Sequence, residues 1–214
     1  MICWSCQKEG GAGPFCVGCQ AVLPPDGSDR FAVLGLPRKF GVDLATAEAA
    51  YKDLSRKLHP DRFAKADPQA RKASLARTVE LNDAWRTIKD PARRAVYLLE
   101  LAGFGLAGDD RKAGAASSTA TRKVEAPPAL LMEILELREE LGEAHEAGDA
   151  AKVAAMADKM RARAAASMAE IGEALDAGRF ERAAQALVAL RYFQRFLDEV
   201  AAHDGRAAAG AIHG

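Results

Sequence analysis

Four cysteines stand in the first 19 residues, as Cys3-x-x-Cys6 and Cys16-x-x-Cys19. Two thiols at that spacing on a tight turn aim at one point, and two such turns complete a tetrahedral sulfur cage for a metal ion. Gly10, Gly11, Gly13 and Pro14 supply the flexible turn that brings the pairs together. So short a segment builds no core of its own, and the metal would supply most of its folding free energy. Structural zinc, one per chain, is the expectation. Iron in a cage of the same spacing is the nearest alternative. Two disulfides rank lower because nothing points to an oxidising compartment, and a redox pair lacks the surrounding βαβ pattern. Four sulfurs close the shell, so the site has no position for a reacting water.

The second group is His59-Pro60-Asp61, preceded by Lys52, Arg56 and Lys57. Leu44, Ala47, Tyr51, Leu54 and Leu58 recur at steps of three and four, which predicts a helix over 43–58 with Asp43 as its N-cap. The three cations lie on its outer side, and Pro60 stops it. A second helix is expected over 69–89, with Leu75, Val79, Asn82, Trp85 and Ile88 inward. A third follows Asp90-Pro91, carries Val96, Tyr97, Leu98, Leu99 and Leu101, and closes at Gly103. The tripeptide alone is a weak signal; its place at the junction of two antiparallel amphipathic helices makes it specific. The other histidines, His145, His203 and His213, stand in no nucleophile or metal-ligand arrangement, and no glycine loop cradles a phosphate. The chain is therefore not expected to be an enzyme.

Between 105 and 127 the hydrophobic periodicity vanishes into Gly, Ala, Ser and Thr, the mark of a flexible linker. Beyond it, helices are expected over 129–147, 149–176 and 178–203, jointed at Gly148-Asp149 and Gly178, which gives an antiparallel three-helix bundle. At about 100° per residue, Leu130, Ile134, Leu137 and Leu141 form the core stripe of the first helix. Met132, Leu135, Glu136, Glu139 and Glu143 fall together on another face, with Leu131 on the flank. Exposed apolar side chains among clustered carboxylates suit a partner-binding face. On the last helix Leu190, Phe193 and Leu197 read as core, and Tyr192 points well away from Leu190, as an edge-packing side chain does. Residues 204–214 are expected to form a disordered tail.

Composition agrees with this all-α reading. Among 214 residues, 47 are alanine and only 6% aromatic, which favours helices over a β-sandwich. The net charge is zero, but residues 28–104 sum to +5 and residues 128–214 to −5, as for two modules with different partners. The cysteine segment carries only Lys8 as a base, which argues against a nucleic-acid partner. No apolar run is long enough for a membrane span, and the start lacks a signal-peptide pattern. A cytoplasmic protein is expected, or a mitochondrial one if a transit peptide has been removed.

The run Tyr51-Lys52-x-Leu54-x-x-x-x-His59-Pro60-Asp61, some 28 residues after Phe31-x-x-Leu34-Gly35-Leu36, resembles a J domain, the module by which co-chaperones stimulate DnaK-type ATPases. The resemblance implies that His59, Pro60 and Asp61 touch the ATPase and that Lys52, Arg56 and Lys57 dock it. More narrowly, Leu81-Asn82-x-Ala84-Trp85, Tyr97-Leu98-Leu99 and the run from Leu130 to Leu141 are similar to the HscB family of co-chaperones for iron–sulfur cluster assembly. The cysteine pairs resemble the extension on its metal-binding branch. That family implies a zinc-knuckle module and linker over 1–27, a J domain over 28–104, a linker over 105–127 and a scaffold-binding bundle over 128–203. It also implies binding of an IscU-like scaffold through Leu131, Met132, Leu135, Glu136, Glu139, Glu143 and Tyr192, and delivery to a DnaK/HscA-type chaperone. The cysteine module is left with three open roles: homodimer contact, stability or partner docking. A general J-domain co-chaperone for unfolded clients is the alternative.

Overall fold

Aspartates start most of the helices. In the computed structural model, which describes residues 1–106 and 122–211 (without the side chains of 106 and 204–211), Asp29 accepts the Phe31 and Ala32 N–H groups at the start of α1 (Arg30–Val33). Asp43 does the same for Ala45 and Thr46 at α2 (Leu44–Leu58), and Asp67 for Gln69 at α3 (Pro68–Lys89). Asp90 accepts the Ala92 and Arg93 N–H groups at α4 (Pro91–Leu101). Each carboxylate satisfies N–H groups that the helix itself leaves unpaired, and the two Asp-Pro steps add a ring already set to the helical φ.

The chain forms two compact units, residues 1–94 and 95–214, and the division falls inside α4, ahead of the boundary expected at 104. In the first unit, α2 and α3 pack on each other and α1 packs on α3, burying Phe31, Leu34, Ala47, Leu58, Leu81, Ala84 and Ile88. The inward face of α3 differs from the expected one. Leu75 and Val79 are 57% and 62% exposed, Asn82 is exposed and Trp85 is half buried, while Ala70, Ala73, Ser74 and Arg77 are buried. Small residues let α3 approach its neighbours closely, and Trp85 stacks on Tyr51 at the edge, with ring centroids 5.2 Å apart.

In the second unit, α5 (Pro128–Glu146), α6 (Ala150–Asp176) and α7 (Phe180–Ala211) form the bundle. Its turns are built alike. At the end of α5, Gly148 takes φ +66, its N–H reaches His145 O, and the Asp149 N–H reaches Ala144 O; Asp149 then caps α6. At the end of α6, Gly178 takes φ +70 with matching bonds from Gly178 and Arg179. This is the Schellman closure, in which a residue without Cβ takes the left-handed turn. The core holds Ile134, Leu141, Val153, Met156, Met160 and Phe193, with Leu130, Leu137 and Leu197 packed on it. Phe196 and Val200 belong there as well, beyond the core residues expected on α7.

Two short strands were not expected. β1 (Phe104–Leu106) and β2 (Arg122–Val124) pair in parallel and lie against α7, so both ends of the segment expected as a linker are ordered. Residues 107–121 of that expected linker lie outside the described residues. The backbone of α7 continues to Ala211 through most of the expected tail, and residues 212–214 lie outside the described residues. Among the described residues no helix is long and apolar enough to cross a membrane.

Candidate functional sites

The cysteine module is one hairpin built twice. In each knuckle the first cysteine N–H reaches the carbonyl five residues on (Lys8 for Cys3, Ala21 for Cys16), and its own carbonyl takes the N–H of the fourth residue on. That fourth residue is Gln7 in one knuckle and Gln20 in the other, both in the left-handed region at φ 59 and 61. The Ser5 and Gly18 N–H groups point at the Cys3 and Cys16 sulfurs, 3.4 Å away. All four Sγ atoms lie within 4.8 Å of one another, with Cys3–Cys19 at 3.7 Å and Cys6–Cys16 at 3.8 Å. A tetrahedron with zinc–sulfur bonds of about 2.3 Å has edges of about 3.8 Å. The donor set therefore fits a metal ion with four thiolate ligands.

The electrostatics of the free thiols are uneven. Backbone N–H groups of Cys19 and Gly18 lower the Cys16 thiol to about 7. At Cys6 the Lys8 N–H acts in the same sense, but the neighbouring thiols, Cys19 foremost, and burial outweigh it and raise the group to about 11. A metal ion would remove that competition by holding all four as thiolates.

The module is clasped to α3 by a residue the sequence reading did not single out. The Arg77 side chain is only 5% exposed. Its Nε donates to Leu23 O at 3.0 Å and its Nη2 to Gly13 O at 3.2 Å, while Glu80 and Asp26 supply the counter-charges. The Asp26 carboxyl lies below its ordinary range, chiefly through its bond with Ser28, with the Arg77 charge contributing against the cost of burial. No pattern marks Arg77 in advance: Arg77 and Glu80 at three residues' spacing read as a solvated pair, and its carbonyl partners lie 54 and 64 positions away.

His59-Pro60-Asp61 forms the start of a 3-10 turn (Pro60–Phe63) directly after α2. His59 Nδ1 accepts the Asp61 N–H at 3.3 Å, and the His59 and Asp61 side chains are 55% and 90% exposed. The carbonyl of Leu58, immediately before the loop, accepts the Ser74 hydroxyl at 2.7 Å and lies 3.1 Å from the Thr78 hydroxyl. Lys52, Arg56 and Lys57 are exposed on α2. Glu48 pairs with Lys52 and Asp53 with Lys57, and a shallow hollow is lined by Tyr51, Lys52, Ser55 and Arg56.

On α5 the core stripe faces inward as expected, and Leu131, Met132 and Leu135 stand out, each between 43% and 58% exposed. The acids divide into two sets. Glu133 is held in a two-pronged pair by Arg163, whose guanidinium also covers Phe193, and Glu140 is held by Lys152. The lone base of the segment, Arg138, pairs with Glu199. Glu136, Glu139, Glu143 and, at the end of the helix, Glu146 are exposed and pair with no cation among the described residues. Tyr192 is half buried against the bundle core, with Arg195 over its ring.

Comparison with known proteins matches this arrangement. Residues 29–97 match the DnaJ domain family, and residues 126–201 match the family described as the HSCB C-terminal oligomerisation domain. A co-chaperone protein HscB homolog of Burkholderia thailandensis is 33% identical, covering 81% of this chain and 92% of that protein. The iron-sulfur cluster co-chaperone protein HscB of Mus musculus is 30% identical over 92% of this chain and 80% of its own length. The crystal structure of human co-chaperone protein HscB superposes with a TM-score of 0.76 at 26% identity, covering 95% of this chain and 98% of that one. Chaperone HscB from Vibrio cholerae gives 0.67 at 28% identity, covering 84% and 99%. With a J domain, an HSCB-type bundle and a four-cysteine cage ahead of them, the chain belongs to the HscB family of co-chaperones.

Proposed function

We propose that this chain binds an IscU-like iron–sulfur scaffold on the outer face of α5 and stimulates a DnaK/HscA-type ATPase through the loop after α2. The observation that carries the reading is the composition of the α5 face. Three exposed apolar side chains stand beside three carboxylates that pair with no cation among the described residues, on a helix whose Glu133 and Glu140 are already paired. Solvated surface needs no apolar side chains there, and a groove for unfolded clients needs no unpaired acids; the two together suit one folded partner with a basic and apolar patch. Leu131, Met132, Leu135, Glu136, Glu139 and Glu143 form this contact, with Tyr192 contributing from α7.

The loop supplies the other contact. His59, Pro60 and Asp61 meet the ATPase, and Lys52, Arg56 and Lys57 offer charge to an acidic surface on it. Holding both partners raises the effective concentration of scaffold at the chaperone. Hydrolysis is the chemistry of the chaperone, and this chain contributes binding energy. The cage holds zinc, one ion per chain, in a closed four-sulfur shell of structural use.

Calorimetric titration with an IscU-like scaffold tests the face. Replacing Met132, Leu135 and Glu136 with alanine should weaken binding by about tenfold or more while helicity stays unchanged. Unchanged scaffold affinity, with capture of a permanently unfolded polypeptide instead, would establish the general co-chaperone reading.

A further inference from the structure

Neither of these two surfaces uses the cysteine module, yet it is not an appendage. Its small core consists of Cys3, Cys16 and Leu23, with Trp4, Cys6 and Ala21 packed around them. Two of the three residues of that cluster are cage ligands, which leaves Val22 and Leu23 as the only other fully buried apolar side chains of the hairpins, so little apolar burial is left to hold them once the metal is gone. To α3 the module presents the Asp26 carboxylate and a pair of backbone carbonyls, Leu23 O and Gly13 O, one from each side of the second knuckle. Both carbonyls are taken by the buried Arg77 guanidinium.

Arg77 lies between Ser74 and Thr78 on one turn of α3. Those two hydroxyls meet the Leu58 carbonyl, which α2 leaves unpaired because the chain departs at His59-Pro60. One helical turn thus grips the metal module on one side and the root of the chaperone-facing loop on the other.

We propose that the cysteine module is a metal-dependent buttress for the His59-Pro60-Asp61 loop, with Arg77 as the positioning residue between them. Metal bound, the folded hairpins present both carbonyls, Arg77 is fixed, and the 74–78 turn holds Leu58 in place. With the metal removed the hairpins lose their order, Arg77 loses two of its acceptors, and the turn and loop loosen together. The two-state element is the module itself, folded and docked or neither. Linkage requires the effect to run both ways: loosening the Arg77 contact must also weaken the hold on the metal. The consequence for ATPase stimulation rests on the function proposed above; the coupling between cage and loop does not.

The test is amide hydrogen exchange on the full chain, loaded with Zn²⁺ or stripped by a chelator, read in a peptide covering residues 55–64 and in α5–α7 peptides as an internal control. Zinc-loaded protein should protect the Asp61 and Arg62 amides, stripping should speed their exchange about tenfold, and the bundle peptides should not change. Arg77→Met with zinc bound should exchange like the stripped protein and give up zinc at about tenfold lower chelator concentration. Arg77→Lys, which keeps the charge but not the forked donors, should fall between. The double variant Ser74→Ala, Thr78→Val should retain zinc but show a loop that no longer responds to stripping. Loop exchange in the natural sequence that is indifferent to zinc overturns the proposal even if Arg77→Met fails to fold; so does a folded Arg77→Met that matches the natural sequence in both readouts. If zinc controls loop exchange but the loaded protein stimulates no DnaK-type ATPase, the functional reading fails and the coupling stands.

Discussion

At the scale of single residues, electrostatic pairs sort the surface into what is spent on the fold and what is left for partners. Arg163 holds the Glu133 carboxyl below its ordinary range, with burial opposing. Because the folded value lies under the unfolded one, this contribution is complete above the ordinary carboxylate range and is lost as pH falls through it toward the folded value. Both side chains are partly solvated, so Glu133→Gln should cost about 0.5–1 kcal/mol at neutral pH. Its melting temperature should also vary less than the parent's between pH 6 and 3, as followed by circular dichroism. The four cysteines make a sharper case. Metal analysis should find one zinc per chain, and chelation should expose four titratable thiols. A metal-free protein with an ordered amino terminus would reject the cage.

At the scale of elements, most helix boundaries were legible because they have a chemical cause within a few residues: Asp43, Asp90 and Asp149 at starts, Pro60 at a stop, Gly148 and Gly178 at turns; the end of α7, expected at 203 and found at Ala211, was not. Gly148→Ala should cost about 1 kcal/mol in denaturant unfolding, since its left-handed φ penalises any Cβ. The outer face of α5 was legible for a similar reason: its apolar and acidic residues repeat with the helix. What could not be read was any feature whose cause lies far along the chain. Apolar spacing on α3 turns Leu75 and Val79 inward together with Ile88, whereas the packed face keeps Ile88 and Leu81 and otherwise carries small residues and a single arginine. Arg77 is buried only because carbonyls from the cysteine module arrive there, and β1 and β2 form only by meeting each other. The repeated Cys-x-x-Cys-Gln did carry a signal: two equal knuckles, each with a glutamine in the left-handed region.

At the scale of the whole molecule, the zero net charge is the cancellation of a basic and an acidic module. The basic excess of residues 28–104 includes the α2 face beside the exposed loop, and the acidic excess of residues 128–214 includes the unpaired carboxylates of α5. High salt should therefore weaken both associations, and the triple replacement on α5 should leave a scaffold interaction less sensitive to salt than the parent's. The central claim is that one chain joins a scaffold to an ATPase through two separate sites. Steady-state ATP hydrolysis by a DnaK-type chaperone measures it most directly, with this protein present as the natural sequence or as His59→Gln, each with and without an IscU-like scaffold. The natural sequence should stimulate hydrolysis, and more so with scaffold present, whereas His59→Gln should give no stimulation while binding scaffold with undiminished affinity. Equal stimulation by His59→Gln would contradict the account.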